Sequence, residues 1–199
     1  MTARGKIVLL IFATIICALL IAAKSAHVKS ISQPAADTPD TPAVSSSDYQ
    51  ALAGRGLLIP VQGARLKDIR DTFNEGRGDH RHEATDIMAP RGTAVLAVDD
   101  GVVKKLFNSK PGGLTIYQFD PSGSYCYYYG HLDGYAEGVK EGLLLKRGDK
   151  IGYVGTTGDA PPNTPHLHFA IFKLGPEKKW WKGTPINPYP VLTASLGRR

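Results

Sequence analysis

The chain has 199 residues, of which 42% are hydrophobic, and its formal net charge is +6. This length allows one domain with a substantial core plus an appendage. The mild positive charge suits an anionic surface such as a membrane or a cell-wall polymer. The sequence has no lysine- and arginine-rich run of the kind that marks nucleic-acid-binding proteins, so we expect no nucleic-acid partner.

The cysteine content excludes a disulfide framework. Cys17 lies inside an N-terminal apolar run, whereas Cys126 lies among tyrosines in the body of the chain. Because Cys17 would sit at membrane depth, the two thiols are not expected to pair, and neither belongs to a Cys-x-x-Cys metal motif. Any metal ion must therefore be held by histidine and carboxylate side chains.

Residues 1–24 have the pattern of a targeting segment. Arg4 and Lys6 precede an uncharged run over residues 7–23 that is apolar except for Thr14. This charge order keeps the N-terminus in the cytoplasm and predicts export of the remainder. A signal anchor in the cytoplasmic membrane is favoured, because the segment has no clean Ala-x-Ala cleavage site. The alternative is a cleaved signal peptide and a secreted protein.

Residues 25–55 are rich in proline, serine, threonine and alanine. Such a segment buries little apolar surface, so it predicts an extended or disordered linker between the membrane and an exported domain. Residues 56–199 then form the globular domain.

The globular domain is predicted to be mainly β, a compact antiparallel sheet or partial barrel with a groove. Glycine (22) and proline (14) are plentiful and favour turns between short strands. A short edge strand is expected at residues 57–61 and one or two helical turns at 67–73. Asp99, Asp100 and Gly101 predict a tight hairpin turn. Further strand patterns cover residues 94–98, 102–107, 114–119, 125–129, 150–154 and 167–172.

A first candidate metal-binding segment contains His82 and Asp86. Glycines upstream and Pro90 downstream leave no room for a helix of useful length. On an extended strand the two Cα atoms would lie roughly 13 Å apart, so the backbone must bend between them if both side chains are to bind one metal. The alternative interpretation is a surface histidine and an aspartate that caps a turn.

A second candidate segment is the His-x-His pair formed by His166 and His168. On a strand, this spacing places both imidazole rings on one face. A catalytic zinc site usually has three protein ligands and one open position. His82, Asp86 and one histidine of the pair would supply such a set, but the spacing does not decide which histidine.

Taken together, the motifs resemble the M23 peptidases, which are also called lysostaphin-type or LytM-type zinc endopeptidases. The resemblance extends over roughly residues 57–192, and its segments stand in the family's order. These segments are residues 82–93, 100–103, 129–132, 146–158 and 165–169.

The resemblance implies that His82, Asp86 and His168 bind one zinc ion per chain. It implies that His131 and His166 are the catalytic pair, which handles the water and the developing oxyanion, without separating their roles. It also implies a small antiparallel β fold with a groove. Peptide bonds of bacterial peptidoglycan are the implied substrate.

Substrate-binding residues are less defined by the sequence. Tyr129, Asn163 and Thr164 are candidates because they adjoin the histidine motifs. Trp180 and Trp181 are either a platform for sugar or peptide, or a loop packed against the sheet.

Three functions follow from these motifs. The first is an exported zinc endopeptidase that hydrolyses peptidoglycan stem peptides or crosslinks. The second is a non-catalytic relative that recruits or activates another cell-wall hydrolase, and the third is a metal-free wall-binding module. The intact histidine and aspartate set favours the first. A regulatory protein partner is conceivable, but the sequence does not identify one.

Overall fold

The computed structural model describes residues 42–78 and 80–196. Within them lie two helices, α1 (Ser46–Gly54) and α2 (Pro188–Leu196), and eleven strands. The strands are β1 (Gly76–Arg77), β2 (His80–Arg81), β3 (Thr85–Met88), β4 (Ala94–Leu96), β5 (Gly101–Ser109), β6 (Gly113–Phe119), β7 (Tyr125–Tyr135), β8 (Leu144–Leu145), β9 (Lys150–Val154), β10 (His166–Leu174) and β11 (Gly183–Ile186). The prediction of a mainly β, antiparallel fold is confirmed.

Nine of these strands form one sheet. Its main path runs β11-β10-β7-β6-β5-β8; in addition β3 pairs with β10, and β9 pairs with β7 and β4. All of the pairings are antiparallel. Strands β1 and β2 form a separate two-stranded hairpin. Strand β10 is central, because it carries β7 on one edge and both β3 and β11 on the other.

The two faces of the sheet have different contents. Side chains alternate between faces along a strand. On β10, Leu167, Phe169 and Ile171 are fully buried in the main core. The intervening positions, among them His166 and His168, therefore project from the opposite face. That second face carries the functional groups.

Six of the predicted strands are confirmed as β4, β5, β6, β7, β9 and β10, some with longer bounds. The predicted edge strand at residues 57–61 does not form a regular strand. The segment makes one isolated bridge, between Val61 and Val95, and backbone hydrogen bonds join Leu58 to Val98 and Leu96 to Pro60. A single turn of 3-10 helix, Leu66–Asp68, occupies the place of the predicted helical turns.

The predicted hairpin turn at Asp99 is also wrong. Strand β4 pairs with β9, while β5 pairs with β6 and β8. The Asp99 carboxylate instead accepts hydrogen bonds from Arg55 at 3.1 Å and from the buried Tyr127 hydroxyl at 3.0 Å. These tertiary contacts outweigh the local preference for a tight turn. The segment around Asp99 therefore connects β4 and β5, which pair with different strands of the sheet.

The linker prediction is wrong at its C-terminal end. Residues 46–54 form helix α1, and Leu52 on this helix is fully buried in the main core. Helix α2, which the sequence pattern did not reveal, packs against α1 and buries Val191 and Leu192. The folded domain therefore includes residues that composition alone assigned to a tether.

The predicted targeting segment, residues 1–24, and the predicted linker up to residue 41 lie outside the described residues. Among the residues that are described, no helix is long and apolar enough to cross a membrane.

Helix α1 is fastened to the sheet through one buried carboxylate. Asp48 accepts hydrogen bonds from the Ser45 amide (2.8 Å), the Ser45 hydroxyl (2.8 Å), the Lys173 ammonium (2.9 Å) and the Tyr125 hydroxyl (2.9 Å). Burial opposes the charged form of Asp48, but these hydrogen bonds outweigh it and hold the pKa of the carboxyl well below its usual range. The charged form is therefore part of the folded structure.

Replacing this carboxylate should destabilise the domain in a pH-dependent way. Asp48→Asn is expected to lower the free energy of unfolding by about 1–3 kcal/mol at pH 7, because it weakens a set of buried hydrogen bonds to a charge. The unfolded chain takes up the proton near pH 3.9, above the pKa of the folded state, so the wild type should lose this advantage as the pH falls below about 4.

Urea denaturation at pH 7 and pH 3 measures both effects, with Glu137→Gln at an exposed turn as the control. If the free energies of unfolding of wild type and Asp48→Asn differ by the same amount at both pH values, Asp48 does not stabilise the fold through its charged form.

Candidate metal centre and groove

An open groove of about 710 Å³ lies on the second face of the sheet. All five side chains singled out as ligands or catalytic groups line it: His82, Asp86, His131, His166 and His168. Residues separated by more than eighty positions in the chain are thus brought together at one place.

Strand register places two of the ligand candidates, Asp86 and His168, opposite each other. In the β10–β3 ladder, His168 is the partner of Asp86, and His166 is the partner of Met88. Thr85 and Ile87 on β3 are fully buried, so Asp86 and Met88 project into the groove. Directly paired residues on one face have Cβ atoms about 4.5–5.5 Å apart, which brings the carboxylate and the imidazole into contact.

His82 reaches the same centre because the backbone bends just before β3. Glu83 has φ of 55°, a left-handed conformation that is uncommon for a non-glycine residue. The amide of Glu83 donates to the Phe73 carbonyl, and the amide of His82 donates to the Glu75 carbonyl, each at 2.9 Å. The sequence prediction that the chain must bend between His82 and Asp86 is confirmed.

His131 enters the groove through a β-bulge. Its neighbours Tyr129 and Leu132 are both fully buried in the main core, so the alternation of faces changes between them. The β6–β7 register shifts at the same point, and His131 itself has φ of 59°. A regular strand would have turned His131 into the core with Tyr129; the extra residue directs its ring to the groove instead.

Three polar atoms converge at the bottom of the groove. His82 Nε2 lies 2.9 Å from Asp86 Oδ1 and 3.1 Å from His168 Nδ1, and the latter two atoms are 3.2 Å apart. Zinc–ligand bonds of about 2.0–2.2 Å in a tetrahedral site place neighbouring ligand atoms about 3.3 Å from each other. The triangle is therefore of the right size for a zinc ion.

Hydrogen bonding indicates that His82 Nε2 and Asp86 Oδ1 present lone pairs. His82 Nδ1 donates to the Thr72 carbonyl at 3.1 Å, which leaves Nε2 of the neutral ring as an acceptor. Asp86 Oδ1 is buried and has no hydrogen-bond partner among the described residues. A buried acceptor that faces other acceptors is costly unless a cation lies between them. The donor set thus fits a zinc ion held by two imidazoles and one carboxylate.

The pKa shifts of Asp86 and His168 agree with ligand roles. Burial opposes the charged form of Asp86, but the adjoining His168 and His82 outweigh it and hold the pKa of the carboxyl well below its usual range. Burial also lowers the pKa of His168, although Asp86 acts in the opposite direction. A charged carboxylate and neutral imidazoles are the forms that bind metals.

The other two histidines lie beside this triangle. His131 Nδ1 donates to the Thr157 carbonyl and His166 Nδ1 to the Thr164 carbonyl, both at 2.8 Å. Each ring is thereby oriented with an unprotonated Nε2, and His166 Nε2 is 3.8 Å from Asp86 Oδ1. Burial lowers the pKa of His131, which favours its neutral form.

The predicted substrate-binding residues have three different outcomes. The prediction that Tyr129 contacts substrate is wrong, because this position faces the core. Tyr129 is fully buried, and its hydroxyl donates to Gln118 at 2.7 Å. The adjacent Tyr128 lines the groove instead. Thr164 lines the groove, as expected, whereas Asn163 is exposed but is not among the residues that line it.

Two residues that orient the centre were missed from the sequence. The Thr72 hydroxyl donates to the Ala84 carbonyl and accepts from the Asp86 amide, both at 3.3 Å, while the Thr72 carbonyl holds His82. Arg77 donates to Asp86 Oδ2 at 2.8 Å, which leaves Oδ1 directed at the triangle. Neither residue stands at a recognisable spacing from the histidines, so the sequence carries no signal for them.

The Thr72 hydroxyl should therefore support metal affinity. Thr72→Val is expected to weaken zinc binding about tenfold, because partners that orient ligands typically contribute that much. Competition with a chelating dye measures the change.

Thr115→Val is the matched control, since Thr115 is also buried and donates to a carbonyl, that of Phe107, outside the groove lining. Equal zinc affinities for the two variants would show that the Thr72 hydroxyl plays no part in orienting the ligands.

Comparison with known proteins agrees with this geometry. Residues 80–188 match the family model described as peptidase family M23. The L-Ala--D-Glu endopeptidase of Bacillus subtilis (strain 168) is 36% identical over 133 residues, which is 63% of this chain and 39% of the relative. Peptidoglycan DD-endopeptidase ShyC of Vibrio cholerae is 37% identical over 97 residues, 49% of this chain and 21% of the relative.

The chain thus spans less than half the length of either curated relative. Among solved structures, the catalytic domain of the antimicrobial peptidase lysostaphin from Staphylococcus simulans matches with a TM-score of 0.51 and 26% identity. That match covers 73% of this chain and 97% of the lysostaphin domain. Because the family model covers more than half of the sequence, the protein belongs to peptidase family M23.

Proposed function

We propose that the chain is an exported, zinc-dependent endopeptidase that hydrolyses peptide bonds in peptidoglycan stem peptides or crosslinks. The observation that carries this proposal is the convergence of three ligand atoms within 3.2 Å of one another, beside the Nε2 atoms of two further oriented histidines. The two curated relatives described above are named as endopeptidases, and one name specifies peptidoglycan, which supports the choice of substrate.

In this proposal His82, Asp86 and His168 hold one zinc ion. When bound, zinc supplies a Lewis acid and makes a water nucleophile available near neutral pH. Thr72 and Arg77 keep the ligand side chains in the orientation that this role needs.

His131 and His166 handle the protons. Their rings are 4.9 Å apart, and the Nε2 atom of each is free of the proton that Nδ1 donates to a backbone carbonyl. A neutral imidazole accepts a proton from the attacking water and passes it to the leaving amine. In its protonated form, the Nε2–H of either ring donates a hydrogen bond to the oxyanion that develops on the substrate carbonyl.

The groove has the openness and the mixed lining that suit a peptide substrate. It is open at its mouth and lined by polar residues such as Thr164 and Ser109 as well as by the rings of Tyr117 and Tyr128. The complete and convergent set of five functional side chains supports an enzyme over a non-catalytic recruiter of another hydrolase, since such a recruiter has no need of the set.

Peptidoglycan lies outside the cytoplasm, so this function requires export. The charge order and apolar run of residues 1–24 support an exported domain, which is anchored at the cytoplasmic membrane or, if the segment is cleaved, secreted.

Variants at two histidines should separate metal binding from catalysis. His168→Ala is expected to lose both zinc and activity, because it removes a ligand. His131→Ala is expected to retain one zinc per chain and to lose about 10²–10⁴-fold in kcat, the usual range for a general acid or base. Metal analysis and digestion of crosslinked muropeptides measure the two properties, and mass spectrometry of the products identifies the bond.

His80→Ala is the matched control for zinc content, since His80 lines the groove but is not among the three clustered metal-ligand candidates. Hydrolysis by His168→Ala at the wild-type rate would refute the ligand assignment, and a folded wild type without zinc at neutral pH would refute the metalloenzyme.

A further inference from the structure

A continuous path of aromatic rings leads out of the groove. It starts at the metal-ligand candidate His168 and proceeds through Tyr128, Tyr117 and Trp180 to Trp181. The successive distances between ring centroids are 5.8, 4.9, 4.8 and 5.3 Å. Tyr128 and Tyr117 line the groove itself, so the path is continuous with the proposed catalytic site.

The outer end of the path is held in place by packing. Trp180 belongs to the loop between β10 and β11 and packs against a second small core that includes Phe119, Cys126 and Leu174. Its ring also contacts Phe107 at a centroid distance of 5.3 Å. Trp180 thus packs on the sheet, as one alternative for the tryptophan pair expects, whereas Trp181 remains 63% exposed.

We call the surface formed by Phe107, Trp180 and Trp181 the aromatic ledge. Phe107 is 40% exposed, so two of the five large hydrophobic residues that are exposed in the described part of the chain lie on this ledge. Contiguous exposed aromatic surface, fixed by a packed residue beneath it, is typical of a recognition site. The ledge is therefore a candidate for substrate contact outside the reacting centre.

The chemistry of the ledge suits a sugar ring. A pyranose has one face of C–H groups that stacks on an aromatic ring and a periphery of hydroxyl and amide groups that stay in water. Peptidoglycan joins short peptides to a glycan strand, so a peptide bound in the groove carries its sugar nearby. The ring path is no longer than roughly six residues of extended peptide, which matches the reach of a short stem peptide.

We propose that the aromatic ledge binds the glycan of the substrate, with an N-acetylated hexosamine ring stacked on the exposed Trp181 beside Trp180. The inference rests on the proposed function, because it takes the sugar and the cleaved peptide to be parts of one polymer. It assigns the loop between β10 and β11 to recognition of the glycan that bears the peptide.

Binding of peptide-free glycan oligosaccharides to the zinc-loaded full chain tests the ledge without any catalysis. By calorimetry, Trp181→Ala is expected to weaken binding about tenfold, as expected for an aromatic anchor in a binding site. Trp181→Phe keeps a stacking face and should stay within about threefold of wild type.

Leu144→Ala, which truncates an 80%-exposed apolar side chain outside the groove lining, should bind like wild type. A wild type that does not bind these oligosaccharides, or a Trp181→Ala variant that binds them equally well, would overturn the proposal.

A kinetic comparison separates the ledge from the proposed function. Trp181→Ala should raise KM for crosslinked muropeptides that retain their sugars and leave KM for the same crosslinked peptides without sugars unchanged. Equal effects on both substrates would overturn a glycan role. A wild type that cleaves neither substrate but binds the glycan would refute the proposed endopeptidase and leave the ledge supported.

Discussion

The pairing of His168 with Asp86 across β10 and β3 is the constraint on which the rest of the site depends. A slip of one residue in either strand would turn that strand's ligand candidate into the main core and expose its apolar neighbour, Ile87 on β3 or Leu167 on β10. The buried apolar residues that alternate with these ligand candidates therefore fix the geometry of the candidate metal centre. Packing and chemistry are specified by the same two strands.

The centre also needs groups that hold its ligand atoms close together although their lone pairs repel. The lone pairs of His82 Nε2 and Asp86 Oδ1 face each other at 2.9 Å, which is unfavourable without a cation. Hydrogen bonds to backbone carbonyls fix the orientation of three rings. His82 donates to Thr72, His131 to Thr157, and His166 to Thr164. The site is thus preorganised by the loops around β3, β7 and β10 rather than by the histidines alone.

Much of this arrangement could be predicted from the sequence. Short strand patterns bounded by turn residues predicted six strands, and the shared face of His166 and His168 followed from a period of two. The bend between His82 and Asp86 followed from strand geometry, because the two residues are too far apart on an extended chain. Local patterns therefore specified the strands and the metal-ligand candidates.

The remainder depends on contacts that leave no local pattern. Tyr129 faces the core and His131 does not, because a bulge changes the alternation between them. Helix α1 was missed because its buried residue Leu52 stands among mostly small and polar residues, which give no apolar helical pattern. Asp99 does not form the predicted turn, because its carboxylate accepts hydrogen bonds from Arg55 and Tyr127, which are distant in sequence. Thr72 orients the centre from a position with no motif spacing.

Anomalous diffraction at the zinc edge from crystals of the zinc-loaded protein tests the central claim most directly. The account predicts one strong peak per chain in this groove, within about 2.2 Å of His82 Nε2, Asp86 Oδ1 and His168 Nδ1 together. A peak on His131 and His166 instead, or no peak in the groove of a folded and zinc-saturated protein, would contradict it.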